Sequence, residues 1–441
     1  MAIACYKIKA KFKEVKMRSN IFKQVLFLIV LAVVIVLLMG IVVKKNANSQ
    51  TVLNLKKFSR AGITGWYEDE DSWDTYDPTS WNFRYNRVEG LYGGYSIKRD
   101  YWIKKHPDRA FIYGFTGYAS GPKEVEYQLG LEKGFSKRFR FGIGGEYHRM
   151  VDTPDRWIMP DLENSLAAFL LKEDFYDYYL REGGSVYITQ NITYSANFTL
   201  TYQYDNLDSL KKSVDWSLFG GDKHFRDNPL MSVGELNALK AKLVIDTRLD
   251  KDLSSQGWYI KIEGTKAGGN SGGDYNFDHL VFDLRRYQPL GYSESINFRI
   301  RVGTANGILP WQYRFYLGGV STLRGFPYKS LPGGPMNPGG NRMFLAQLEY
   351  SLGEDTFPDE IDLGFLDLFN VIVFTDLGWV ADVDPDLGLF KGFDSMSGSN
   401  IKNDIGIALA NSDGTVRIEI ARRTDTGRKP FNILFRINKS F

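Results

Sequence analysis

Glu124–Glu132 reads EVEYQLGLE, and after a short turn at Lys133–Ser136 the stretch Arg138–His148 reads RFRFGIGGEYH. In the first, Val125, Tyr127, Leu129 and Leu131 alternate with Glu124, Glu126, Gln128, Gly130 and Glu132. In the second, Phe139, Phe141, Ile143 and Tyr147 oppose Arg138, Arg140, Gly142, Gly144, Glu146 and His148. A period of two is the side-chain repeat of a β-strand, so these are two neighbouring strands with one apolar and one charged face. A sandwich would bury the apolar face against a second sheet, whereas an outer-membrane barrel turns it to lipid and lines its lumen with the polar one. Alternation alone fits both. The aromatics near strand ends, Tyr127, Phe135, Phe139 and Tyr147, suit the interfacial girdles of a barrel.

The same pattern recurs near residues 88–98, 110–118, 184–193, 197–205, 236–247, 257–267, 276–288, 294–303, 311–317, 342–352, 369–377, 402–411, 414–422 and 430–441. With the opening pair this makes sixteen, an even number as bacterial barrels require. Ser165–Arg181 reads partly helical, in a connection. If the last strand ends at the periplasmic face, the tight turn at 411–414 is periplasmic and the long connections 318–341 and 378–401 are extracellular. The fold expected is an all-β, transmembrane antiparallel barrel of about sixteen strands over residues 81–441.

Nine Lys/Arg against one acid, Glu14, in residues 1–49 account for the net charge of +3, so the remainder is acidic and carries no basic stripe for nucleic acid. The basic stretch precedes the apolar run Val25–Val43, with small residues Ala47 and Ser49 placed for a cut before Gln50. This is the pattern of a secretory signal, with an uncleaved anchor as the alternative. Residues 50–80 read as a polar mature extension. No apolar run after the leader is long enough for a membrane helix, so a membrane-embedded body has to be a closed sheet. The single cysteine, Cys5, excludes a disulfide framework and a cysteine zinc site. His106, His148, His224 and His279 lie in separate segments without metal-ligand spacing, and no nucleophile elbow, P-loop or dinucleotide fingerprint occurs. No cofactor, metal or catalytic residue is therefore expected.

The chain ends on Phe431, Ile433, Phe435, Ile437 and Phe441 sharing one face, opposed by Asn432, Arg436, Asn438 and Ser440. A strand ending on an aromatic residue resembles the bacterial outer-membrane assembly signal, here Phe435, Ile437 and Phe441. As an unpaired edge in water so apolar a strand would invite aggregation. Phe315–Phe326 reads FYLGGVSTLRGF and leads into a Gly/Pro-rich stretch, LPGGPMNPGGNRM. Together these stretches resemble the bacterial surface antigen superfamily, the barrels of outer-membrane protein assembly factors of the BamA/TamA type. The resemblance implies an extracellular loop folded into the lumen, its tip Arg324-Gly325-Phe326 packed against acidic strand residues. VFTDLG at Val373–Gly378 resembles the family's strand motif and offers Phe374 and Asp376; Leu348-Glu349-Tyr350 similarly offers Glu349. Gln347 and Glu349 share a strand face, as do Phe374 and Asp376, so both carboxylates can point inward to an arginine fork. Asp246-Thr247-Arg248, before Gly257-Trp258, is similar to the family's strand-end motif.

The family's insertases carry periplasmic polypeptide-transport-associated repeats before the barrel, and residues 50–80 offer no room for one. The function expected is insertion or translocation of proteins at the outer membrane of a diderm bacterium, by edge pairing at a labile seam between first and last strands. The alternatives are a passive or gated pore and, third, an outer-membrane enzyme. Expected partners are membrane lipid and lipopolysaccharide, client outer-membrane proteins and a separate periplasmic protein.

Overall fold

The computed structural model describes residues 78–437 except 138, 250–255, 292–293, 334–336, 354–368, 412–413, 415 and 426–430. The leader, most of the 50–80 extension and Phe441 lie outside the described residues. The chain divides into two compact units; among the described residues one contributes only Lys391–Gly398, with a single 3-10 turn at Phe393–Ser395. Everything below concerns the other.

That unit is one antiparallel meander of sixteen strands, each hydrogen-bonded to the next in chain order. They are β1 (Thr79–Asn86), β2 (Gly90–Ile97), β3 (Ala110–Ala119), β4 (Glu124–Phe135), β5 (Phe141–Asp152), β6 (Tyr179–Asn191), β7 (Ala196–Ser209) and β8 (Gly234–Asp246). The second half comprises β9 (Gly257–Ala267), β10 (Asn276–Pro289), β11 (Ser295–Ile308), β12 (Arg342–Leu352), β13 (Phe369–Ala381), β14 (Lys402–Asn411), β15 (Arg417–Arg423) and β16 (Asn432–Arg436). Helix α1 (Arg99–Lys105) follows β2, and helix α2 (Asp161–Leu171) lies between β5 and β6.

The two faces are reversed relative to a water-soluble sheet. Leu129 is 64% and Trp81 70% exposed, while Glu132, Asp283 and Arg299 are fully buried. Hydrocarbon outside and paired charge inside is the arrangement lipid demands of a barrel wall. Inside, Asp283 accepts hydrogen bonds from Arg299 and Arg301, and Glu132 is paired with Arg99 of α1 and with Arg140. Charges so enclosed persist only when partnered.

The structure departs from the sequence reading at three places. Thr79–Asn86 is a strand that precedes the expected first one, near 88–98, which is β2. Residues 311–317 are not a strand of the wall. Trp311–Tyr313 form a 3-10 turn, and only isolated bridges, Phe315 with Gly340 and Leu317 with Leu331, follow. Only the remainder, from Phe315 to Leu317, is bridged, because there the segment folds back on its own loop. The inner face is also not polar throughout. Phe277, Val281, Met343 and Leu345 form an apolar cluster with Phe315, Leu317 and Leu323, because the loop supplies its own apolar side chains to cover them.

Candidate functional site

The β11–β12 connection, 309–341, turns into the enclosed space as a narrow excursion held by Leu317 and Leu331, whose backbones exchange hydrogen bonds of 3.0 and 3.1 Å. Its tip is a tight turn in which Gly319 N–H donates to the Leu323 carbonyl and Phe326 N–H likewise, at 2.9 and 3.0 Å. Thr322 steadies the turn, its hydroxyl accepting from Gly318 N–H at 2.9 Å. Arg324 thus stands at the apex with a fixed backbone.

The receiving surface is built by strand register. On adjacent rungs of the wall, Gln347, Asp376, Asp404 and Arg423 lie side by side across β12–β15, and beside them Glu349, Phe374, Gly406, Ala421 and Asn432 cross β12–β16. Arg324 meets both rows. Its Nε and Nη2 donate to the two oxygens of Asp376, both at 2.8 Å, and Nη1 donates to Glu349 at 2.5 Å and Glu419 at 3.3 Å. The paired bonds to Asp376 are the fork geometry that distinguishes arginine from lysine. The guanidinium carbon stands 3.5 Å from the centroid of the Phe374 ring, a desolvated cation–π contact. Gly325 N–H donates to Asp404 at 2.8 Å, and the Phe326 ring lies 4.1 Å below the Arg423 guanidinium. Asn432 on the last strand donates to the carbonyls of Arg324 and Phe326, each at 3.1 Å. The structure therefore gathers Arg324, Gly325, Phe326, Glu349, Phe374 and Asp376 in one buried cluster.

Four participants escaped sequence reading: Asp404, Arg417, Glu419 and Asn432. Arg417 is a second buried cation beside Glu349 and Glu419, at 3.3 and 2.8 Å. The signal available was the charged row Arg417, Glu419 alternating with Ile418 and Ile420, but nothing in one strand says which neighbour it faces. Asp246 and Arg248 lie elsewhere, at the end of β8 and just after it. There Arg248 donates to Asp246 at 3.0 and 2.9 Å and lies over the Tyr259 ring. Phe435 faces outward on β16 and Ile437 follows it half-buried. His148 sits 3.0 Å from Asp205 inside the wall, and no metal-binding cluster occurs among the described residues.

Gly325 is required for close approach. A Cβ there would stand 2.7 Å from the Asp404 Cβ and 2.8 Å from the Arg422 backbone carbon. Strand backbone cannot yield without breaking a ladder, so Gly325→Ala lifts the tip and destabilises the protein by about 1–3 kcal/mol, the usual cost of overpacking. Urea unfolding in detergent micelles measures it; an unchanged midpoint would show that the tip is not pressed onto β14 and β15.

The returning limb of the loop is fixed at a second place. Lys329 donates to Asp155 at 2.8 Å and Asp177 at 2.6 Å, in the β5–β6 connection, and Arg226 and Arg87 also reach Asp177. Burial pushes both carboxyls up. For Asp177 the three cations outweigh burial and hold it well below the usual carboxylate range, whereas Asp155 stays raised.

Residues 155–441, more than half of the chain, match the model of the Omp85 superfamily domain. The chain belongs to the Omp85 superfamily. A curated relative, the outer membrane protein assembly factor BamA of Nitratidesulfovibrio vulgaris, is 28% identical over 158 residues, 33% of this chain and 19% of the relative. That match spans about a fifth of the relative's length. Among solved structures, BamA from Haemophilus ducreyi lacking POTRA domains 1-3 has a TM-score of 0.51 at 15% identity, over 88% of this chain and 78% of that one. CdiB from Acinetobacter baumannii gives 0.40 at 13% identity, over 83% and 60%. The first likeness is one of fold. As an Omp85 barrel the protein resides in the outer membrane of a diderm bacterium.

Proposed function

We propose that this Omp85 barrel inserts or translocates proteins at the outer membrane, with the inward loop as the brace of its C-terminal wall. The observation that carries this reading is the contrast between the seam and the rest of the sheet. Every neighbouring pair from β1–β2 to β15–β16 is laddered, yet among the described residues no ladder joins β16 to β1. An unpaired strand edge is a template for another strand, so a client β-strand is the ligand it suits. Asn432 ties the last strand to the loop tip, which keeps β16 in place as a partner for such a strand. The curated relative is named as an outer membrane protein assembly factor, which agrees with this reading. A passive pore is less well supported, because the loop fills part of the lumen with apolar side chains.

Purified protein in lipid vesicles tests the proposal. It should speed the folding of an urea-denatured client barrel, read as the heat-modifiable band on a gel, over protein-free vesicles. No acceleration, together with steady ion conductance across a planar bilayer, would replace the assembly reading with the pore.

A further inference from the structure

Helix α2 touches both strands of the seam. At its first turn Glu163 accepts from Arg436 of β16 at 2.5 and 3.3 Å, and both side chains are buried. One residue pair further on, the Ser165 hydroxyl accepts the backbone N–H of Tyr85 on β1 at 3.3 Å. Toward its C-terminus, Ala168 packs with Tyr85 and Phe225, and Phe169 meets Tyr85 edge-to-face at a centroid distance of 5.6 Å.

Two features of Tyr85 give this contact meaning. In an antiparallel ladder successive residues point their N–H groups alternately to one neighbour and the other. An N–H donated to a helix hydroxyl is therefore one directed away from β2, and those of Trp81 and Phe83 face the same way. Side chains alternate too. Trp81 and Phe83 are 70% and 69% exposed on the outward row, yet Tyr85, next on that row, is 8% exposed. The helix thus covers the edge turned away from β2 and the outward face of β1 near the β1–β2 turn, while its other end is bonded to β16.

We infer that α2 is a releasable wedge on the β1 edge, pinned by Glu163–Arg436 and Ser165–Tyr85, which has to leave before that edge can pair with an incoming strand. The inference rests on the assembly reading above. Its energetics suit a latch. The helix is eleven residues long with no side-chain N-cap and a left-handed C-terminal residue, Lys172. A helix that short is marginal in water and keeps its place through tertiary contacts. Among the described residues, two hydrogen-bonded pins reach the seam strands, one of them a neutral bond of modest net worth. Asn164 and the carbonyls of Phe169 and Leu170 tie the helix to its own and the β7–β8 connection rather than to the seam.

Accessibility of Ala168, on the buried face of the helix, reads the latch directly. In a Cys5→Ser background, Ala168→Cys should react slowly with an aqueous maleimide. Adding Glu163→Gln and Ser165→Ala should raise that rate about tenfold or more, since labelling of a buried site follows its local opening equilibrium. Ala238→Cys, buried on β8, should stay slow in the same background and marks intact folding. The same double variant should also fold the client in vesicles faster than wild type. Unchanged labelling at position 168 overturns the wedge, and a parallel rise at 238 overturns local release. Faster labelling without faster client folding, in protein that does fold clients, overturns the requirement that the helix leave. Faster labelling at 168 with no client folding by any form supports the release and sinks the assembly reading instead.

Discussion

Arg324→Ala destabilises the folded protein by about 3–5 kcal/mol, the range for removing one partner of a buried ion pair. Without it, Glu349 and Glu419 keep Arg417, but Asp376 loses its fork and lies on the same rung as a second carboxylate, Asp404. The loss comes from stranded carboxylates more than from a missing contact. Arg324→Lys recovers only part of the stability, because one ammonium cannot form the parallel bonds to both oxygens of Asp376. Denaturant titration in micelles of both single variants and of the Arg324→Ala/Asp376→Ala double completes the cycle. A coupling under about 0.5 kcal/mol, the size for independent sites, would mean that the fork does not exist in the folded protein.

Phe374→Ala has an effect of similar size. Its ring is held between the Arg324 guanidinium on one side and the backbone of Gly406 on the next strand, where a Cβ would overlap the ring. Truncation leaves a cavity against two groups that cannot move in, and large-to-small changes of a buried phenylalanine cost about 3–5 kcal/mol. The paired glycine provides an internal check. Gly406→Ala should be costly in wild type and less costly beside Phe374→Ala, where the overlap with the ring is gone and the approach to the Ile420 carbonyl oxygen at 2.5 Å remains. Additive costs would show that the ring is not seated on Gly406.

These side chains were legible to very different degrees. The alternation in Glu124–His148 was enough for strands, because face identity is a property of one segment. Arg324, Asp376 and Glu349 were reachable because each sits in a short recognisable string with the right parity. Asp404 and Asn432 were not. They enter the site through register across β13–β16, and no single strand encodes its offset from the next. The segment 311–317 failed for the opposite reason. Its aromatic alternation is real, but Trp311–Tyr313 turn as a 3-10 helix and the bridged remainder pairs with its own loop, and neither is distinguishable by period from a strand in the wall. Helix α2 was visible only as a vague helical bias in Ser165–Arg181, since its placement depends on Glu163 and Ser165 finding β16 and β1.

The anchorage of Lys329 between Asp155 and Asp177 has a genetic consequence. The loop is fastened twice, at its apex and on its returning limb, by clusters that share no residue. Cutting either fastening leaves the other to keep the loop near its seat, so defects seen in cells should be masked in single variants and synthetic in combination. A mild Arg324 phenotype in an otherwise intact strain would then be redundancy, and a Lys329→Met background is where its importance would surface.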